Sequence, residues 1–117
     1  MKKSVLLVDD DSTFRGLVAN LIKKQGVCVL EADGVMSAKH FLKTKNVDII
    51  CSDMNMGDGT GLELYEQVHL EYPQIGFILL TNDVRFSVQN QAAVYNIPLI
   101  SKTANDLIDK IIGIINT

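Results

Sequence analysis

Ser4-Val5-Leu6-Leu7-Val8-Asp9-Asp10-Asp11 sets an unbroken aliphatic run directly against three acids. Aliphatic residues in succession, without polar alternation, suit a strand buried on both faces, as in a parallel sheet covered by helices. Three carboxylates at the end of such a strand are costly to gather at a buried edge unless a cation uses them.

The same kind of run recurs along the chain. Strands are predicted at Ser4–Val8, Val27–Glu31, Val47–Ser52, Ile75–Leu80 and Pro98–Ser101, with helical spacing between them. In the first helix Phe14, Leu17, Val18, Leu21 and Ile22 form an apolar stripe, and Gly26 supplies a left-handed stop. The last helix repeats the stripe with Leu107, Ile108, Ile111, Ile112 and Ile115, and Thr103 with Asp106 fits a capping box at its start. Helices around Val35–Lys43 and Leu62–Tyr72 are less regular, and one around Arg85–Tyr95 carries few large apolar residues. This alternation predicts one α/β domain over residues 1–117, a flavodoxin-like (βα)5 unit. Its five-stranded parallel sheet has the order 2-1-3-4-5, with helices on both faces.

A length of 117 residues allows one sizeable core, and the 47% hydrophobic and 21% charged fractions exclude a disordered, collagen-like or disulfide-scaffold chain. A net charge of −3 without a basic stripe argues against a direct nucleic-acid surface. Lys23-Lys24 and the trio Lys39, Lys43 and Lys45 are expected to be solvated helix faces. Cys28 and Cys51 form no C-x-x-C pair and are expected to be inert core thiols. Apolar runs too short to span a bilayer, and the start Met1-Lys2-Lys3-Ser4 with no cleavage site, predict a cytoplasmic chain with no membrane partner.

In open parallel sheets, ligands bind outside the carboxyl ends of the strands. Those positions hold Asp9, Asp10 and Asp11 after the first strand, Asp53 at the end of the third, Thr81 after the fourth and Lys102 after the fifth. In the expected order the first and third strands are neighbours, which brings Asp9 and Asp10 beside Asp53. An all-oxygen pocket with three carboxylates favours a hard ion such as Mg²⁺. Lys102 and Thr81 would face an incoming phosphoryl group from the other side.

Val8-Asp9-Asp10-Asp11, Asp53-Met54-Asn55-Met56 with Gly61 downstream, Leu80-Thr81 and Lys102 together resemble the signatures of response-regulator receiver domains. The resemblance covers essentially the whole chain. It implies that Asp53 accepts the phosphoryl group, that Asp9, Asp10, Asp53 and the backbone carbonyl of Asn55 hold Mg²⁺, and that Thr81 and Lys102 bind phosphoryl oxygens. It further implies a two-component phosphorelay, with a histidine kinase or phosphotransfer protein as donor and a downstream protein or fused output domain as target. Such a module is not a turnover enzyme; it catalyses its own phosphorylation and slow dephosphorylation. The absence of a phosphate-binding glycine loop speaks against ATP as direct donor. Two alternatives stand beside this. A magnesium phosphohydrolase working through an aspartyl-phosphate would want a second acid where Asn55 stands. An unphosphorylated interaction module would not need the intact motif positions.

Several positions depart from the receiver pattern. Gly57 and Thr103 replace usual prolines, so the loop 57–61 is expected to be more mobile, and a cis bond at Lys102–Thr103 is expected only if Lys102 requires it. Leu99 replaces the usual aromatic switch. Asn82 is larger than the usual small residue and is expected to crowd the approach to Asp53, and the acidic Asp83 is placed to repel or position a water. Asp11 and Ser12 are expected to cap the first helix, Asp58 and Glu63 to be exposed or capping, His40 and His69 to be surface residues, and Met54 and Met56 to pack the loop.

Overall fold

The first aliphatic run forms strand β1 (Ser4–Val8), in which Val5 to Val8 are fully buried. The period-two alternation of a strand divides these side chains between two cores. Val5 and Leu7 enter one cluster, Leu6 and Val8 the other. The computed structural model describes residues 2–82 and 85–117. Asp83 therefore lies outside the described residues.

After β1 come α1 (Ser12–Lys23), β2 (Cys28–Ala32), α2 (Val35–Thr44) and β3 (Ile49–Asp53). A short hairpin follows, β4 (Asn55–Met56) and β5 (Gly59–Thr60), then α3 (Gly61–Glu71), β6 (Gly76–Thr81), α4 (Phe86–Val94), β7 (Leu99–Ser101) and α5 (Leu107–Ile115). The main sheet has the order β2-β1-β3-β6-β7 with every pairing parallel, which is the expected 2-1-3-4-5 arrangement once the hairpin is set aside. Residues of α1 and α5 cover the face that holds Val5 and Leu7; those of α2, α3 and α4 cover the other. Among the described residues no helix is long and apolar enough to cross a membrane.

Several local expectations need correcting. The second, third and fourth strands start and end later than expected: the ladder runs on to Ala32, which pairs with Val8, and into the polar Asp53, paired with Leu80, and Thr81, paired with Ser101. The stripe of α1 is rotated. Its buried residues are Val18, Ala19 and Ile22, while Leu17 is 61% exposed. The spacing reports a period, and packing beside α5 sets the phase. No side chain caps α5 at Asp106, and Thr103 pairs instead with the Ser101 hydroxyl at 2.9 Å. The capping box lies on α3, between Thr60 and Glu63. Cys51 is buried as expected, but Cys28 is exposed, since it opens an edge strand. The described peptide bonds are all trans, including Lys102–Thr103.

Two close contacts frame the sheet. At its amino end, Lys3 Nζ donates to the Ile115 carbonyl at 2.7 Å, a cation on the last turn of α5. At its carboxyl end, Gly61 lies so near β3 and β6 that a Cβ there would stand 2.6 Å from the Asp53 carbonyl oxygen and 2.6 Å from Leu79 Cδ2. A backbone oxygen cannot yield cheaply. Gly61→Ala is expected to destabilise the fold by about 1–3 kcal/mol, read as a lower urea midpoint at unchanged slope. An unchanged midpoint would show that the loop absorbs the methyl.

Candidate functional site

Register places the acids. Val8 pairs with Ser52, so the next residues, Asp9 and Asp53, stand level on adjacent parallel strands. Asp53 pairs with Leu80 and Thr81 with Ser101, which sets Thr81 one step and Lys102 two steps further along the same edge. One ligand oxygen from each of Asp9, Asp10 and Asp53 lies within 4.8 Å of the others. Asp9, Asp53 and Thr81 are buried, and Asp10 is exposed.

Asp9 is held from several sides. Its Oδ1 accepts from the Asp11 N–H at 2.9 Å, and its carbonyl accepts from Arg15 Nη1 at 2.6 Å. Its Oδ2 lies 2.7 Å from Lys102 Nζ, an ionic contact without the angles of a directed hydrogen bond. The same ammonium is 3.3 Å from Asp53 Oδ1 and 4.6 Å from the centre of the Phe14 ring. Lys102 thus sits between two carboxylates with an aromatic face behind it.

The charges perturb one another. Burial and the neighbouring Asp9 carboxylate raise the Asp53 carboxyl above its ordinary 3.8, while Lys102 and the Asn55 amide oppose them. Burial works against the Lys102 charge, yet its close contact with the Asp9 carboxylate and the pull of Asp53 raise the ammonium above its ordinary 10.5. Burial, with Asp9, pushes the Cys51 thiol up to about 12, so it stays neutral and unreactive. An open cleft of about 360 Å³ is lined by Asp53, Asn55, Thr81, Asn82 and Lys102.

A hard divalent cation fits this donor set. Asp9 Oδ2 is buried with lone pairs unused by any directed hydrogen bond, two further carboxylates stand beside it, and all the ligand atoms are oxygen.

Asp9, Asp10, Asp53, Thr81 and Lys102 share this edge, and Asn55 and Asn82 stand at its mouth. The other singled-out residues lie elsewhere. Asp11 is the N-cap of α1, accepting from the Thr13 and Phe14 N–H groups. Glu63 caps α3, His40 and His69 are exposed, and Met54 is in the core. Three supporting residues escaped the sequence: Phe14 beneath Lys102, Arg15 on the Asp9 carbonyl, and Ser52, whose hydroxyl donates to the Asp53 carbonyl at 2.9 Å; Asp58, expected to be exposed or capping, is exposed and caps α2. Only the Gly57-Asp58 pair, a turn dipeptide between short strands, carried a local signal for its geometry.

Residues 5–113 match the family described as the response regulator receiver domain. The photosynthetic apparatus regulatory protein RegA of Rhodobacter capsulatus is 30% identical over 79 residues, covering 68% of this chain and 43% of that protein. A chemotaxis protein CheY homolog of Campylobacter jejuni is 35% identical over 83 residues, covering 68% of this chain and 64% of that protein. The matched stretch thus spans less than two thirds of either relative. Among solved structures, a response regulator protein of Burkholderia pseudomallei with a phosphorylated aspartic acid, calcium ion and citrate superposes with a TM-score of 0.84. That structure is 23% identical, over 95% of this chain and 65% of the other, and shares the fold.

Because the folded carboxyl of Asp53 titrates above 3.8, protonation stabilises the fold and ionisation weakens it. In chelator-treated protein, Asp53→Asn is expected to raise the melting temperature at neutral pH. The gain should shrink as the pH falls through the raised pKa toward 3.8, where the wild-type carboxyl is itself neutral in the fold. Calorimetry across that range checks it, and equal melting temperatures at neutral pH would contradict the electrostatics described.

Proposed function

We infer how this chain works from what it is: it belongs to the response regulator receiver domain family, the phosphoacceptor signalling modules of two-component systems. Within that family we assign the acceptor to Asp53. The observation that carries the assignment is the meeting of Asp9, Asp10 and Asp53 at one sheet edge, with Lys102 3.3 Å from Asp53 Oδ1.

The chemistry follows from these side chains. An Asp53 carboxylate oxygen attacks phosphorus, a new O–P bond forms, and the donor's bond to phosphorus breaks in line, releasing the donor group with its electron pair. Mg²⁺, held by Asp9, Asp10, Asp53 and the Asn55 carbonyl, would neutralise the charge gathered on the carboxylates and on the incoming phosphoryl oxygens. Lys102 supplies a fixed positive charge from the opposite side and the Thr81 hydroxyl a hydrogen bond, so the transferred group meets donors that are already in place. Burial of Thr81 and of the Lys102 stem limits water around these donors. Asn55, an amide where a hydrolase would place an acid, is a poor general base, which favours a lasting phosphoaspartate over turnover.

Phosphorylation changes what Lys102 is paired with. Its ammonium, divided between Asp9 and Asp53 beforehand, gains a more negative partner, and the β7 edge that carries it is drawn toward the new group. With Leu99 in place of an aromatic, the output rests on this strand-end shift. A histidine kinase or phosphotransfer protein is the proposed donor, a protein or fused output domain the proposed target, and the cytoplasm the proposed setting. One receiver module over residues 1–117 is proposed to suffice for the chemistry.

Incubation with acetyl phosphate and Mg²⁺ is expected to add one phosphoryl group by intact-mass measurement, and Asp53→Asn to abolish the gain. A gain that persists in the variant would move the acceptor elsewhere. Lys102→Ala is expected to keep or tighten Mg²⁺ binding, since no ammonium then occupies Asp9, while uncoupling phosphorylation from the change in backbone amide shifts. Wild-type-like shifts in the phosphorylated variant would remove Lys102 from the switch.

A further inference from the structure

The hairpin that follows β3 is fastened at two points. Its strands pair Asn55 with Thr60 and Met56 with Gly59, leaving Gly57 and Asp58 as the turn. On one side the Gly57 N–H donates to Asp10 Oδ2 at 3.1 Å. On the other, the Asp58 carboxylate reaches back to α2, accepting from the Val35 N–H at 2.8 Å and the Met36 N–H at 3.0 Å.

Both partners are shaped for this contact. The N-cap of α2 is Gly34, which has no side chain to satisfy the first amides of the helix, so Asp58 serves as a cap from another part of the chain. A Cβ on Gly34 would stand 2.6 Å from Asp58 Oδ1, so a larger residue there would displace the carboxylate from the Val35 and Met36 amides. Donation by the Met36 and Val35 amides holds the Asp58 carboxyl below its ordinary 3.8, so it is ionised at neutral pH. Asp10, at the other end, is exposed and must give up rotamer freedom to serve a cation. A hydrogen bond to one of its oxygens removes part of that cost in advance.

We propose that Asp58 is a positioning residue: through Gly57 it forms a strap from the amino end of α2 to Asp10, which orients the Asp10 carboxylate for the cation and couples cation binding to α2. The proposal rests on the assignment of Asp10 as a cation ligand made above. Coupling is reciprocal, so a cation that orders Asp10 must also steady the strap and protect the Val35 and Met36 amides from exchange.

The test is calorimetric titration with MgCl₂, paired with amide hydrogen exchange at Val35 and Met36. Asp58→Ala removes the cap. Gly57→Pro removes the N–H while leaving Asp58 in place, so it reports even if Asp58→Ala unfolds. Gly57→Ala keeps the N–H, and its Cβ would stand 4.0 Å from Asp10 Oδ2, in ordinary contact. Roughly ten-fold weaker Mg²⁺ binding is expected in Asp58→Ala and Gly57→Pro, with recovery to the wild-type value in Gly57→Ala. Mg²⁺ should slow exchange at Val35 and Met36 in wild type and not in Gly57→Pro. Binding that is lost in Asp10→Asn but unchanged in Asp58→Ala and Gly57→Pro overturns the strap and leaves the cation site standing. Binding indifferent to Asp10→Asn overturns the cation assignment, and the strap with it.

Discussion

Three carboxylates crowded at one sheet edge, with a single ammonium wedged between two of them, set the terms for everything around them. Two like charges about 5 Å apart repel by on the order of 3 kcal/mol at an effective dielectric near 20, and ligand oxygens of the three acids lie within 4.8 Å of one another. Lys102, at 2.7 Å from Asp9 and 3.3 Å from Asp53, offsets that repulsion. Its position in turn depends on β7 staying in register with β6, where the Lys102 N–H donates to the Thr81 carbonyl at 2.9 Å. Phe14 supports the ammonium from α1. The aliphatic interior of β1, β3 and β6 keeps these strand ends rigid enough for the charges to be held at such distances.

That dependence explains which parts were legible in the sequence. A parallel sheet aligns the carboxyl ends of its strands, so a residue's place just after an apolar run predicts its edge, and Asp9, Asp53, Thr81 and Lys102 could be assembled from position alone. Phase and partner choice were not legible in the same way. Leu17 and Leu21 share the α1 spacing of Val18 and Ile22, yet face outward, because neighbouring helices select the buried side. Thr103 and Asp106 have capping-box spacing, but the Ser101 hydroxyl takes Thr103. Phe14 lies 88 positions from Lys102 in the sequence, and no local pattern announces a ring beneath an ammonium.

The glycine-rich loop is the instructive case. Gly57 in place of proline reads as freedom, and the backbone is freer there in an unfolded chain. In the fold the same substitution contributes an N–H that proline lacks, and Asp10 accepts it. Asp58 reads as an exposed or capping acid, with nothing in the sequence to say which helix it would cap. It acts as a helix cap whose donors lie 22 and 23 positions away, a separation that no capping signature searches.

The Lys3 contact with Ile115 carries a consequence for reach. It brings the start of β1 and the end of α5 together at the amino edge of the sheet, away from the carboxylate pocket. Five residues of β1 separate the two edges, about 17 Å at the usual strand rise. Any linker leaving Thr117 would therefore depart from the end of the molecule remote from Asp53. A domain tethered there would sit at that remote edge, whereas a protein bound at the rim of the cleft would lie beside Asp53 and Lys102.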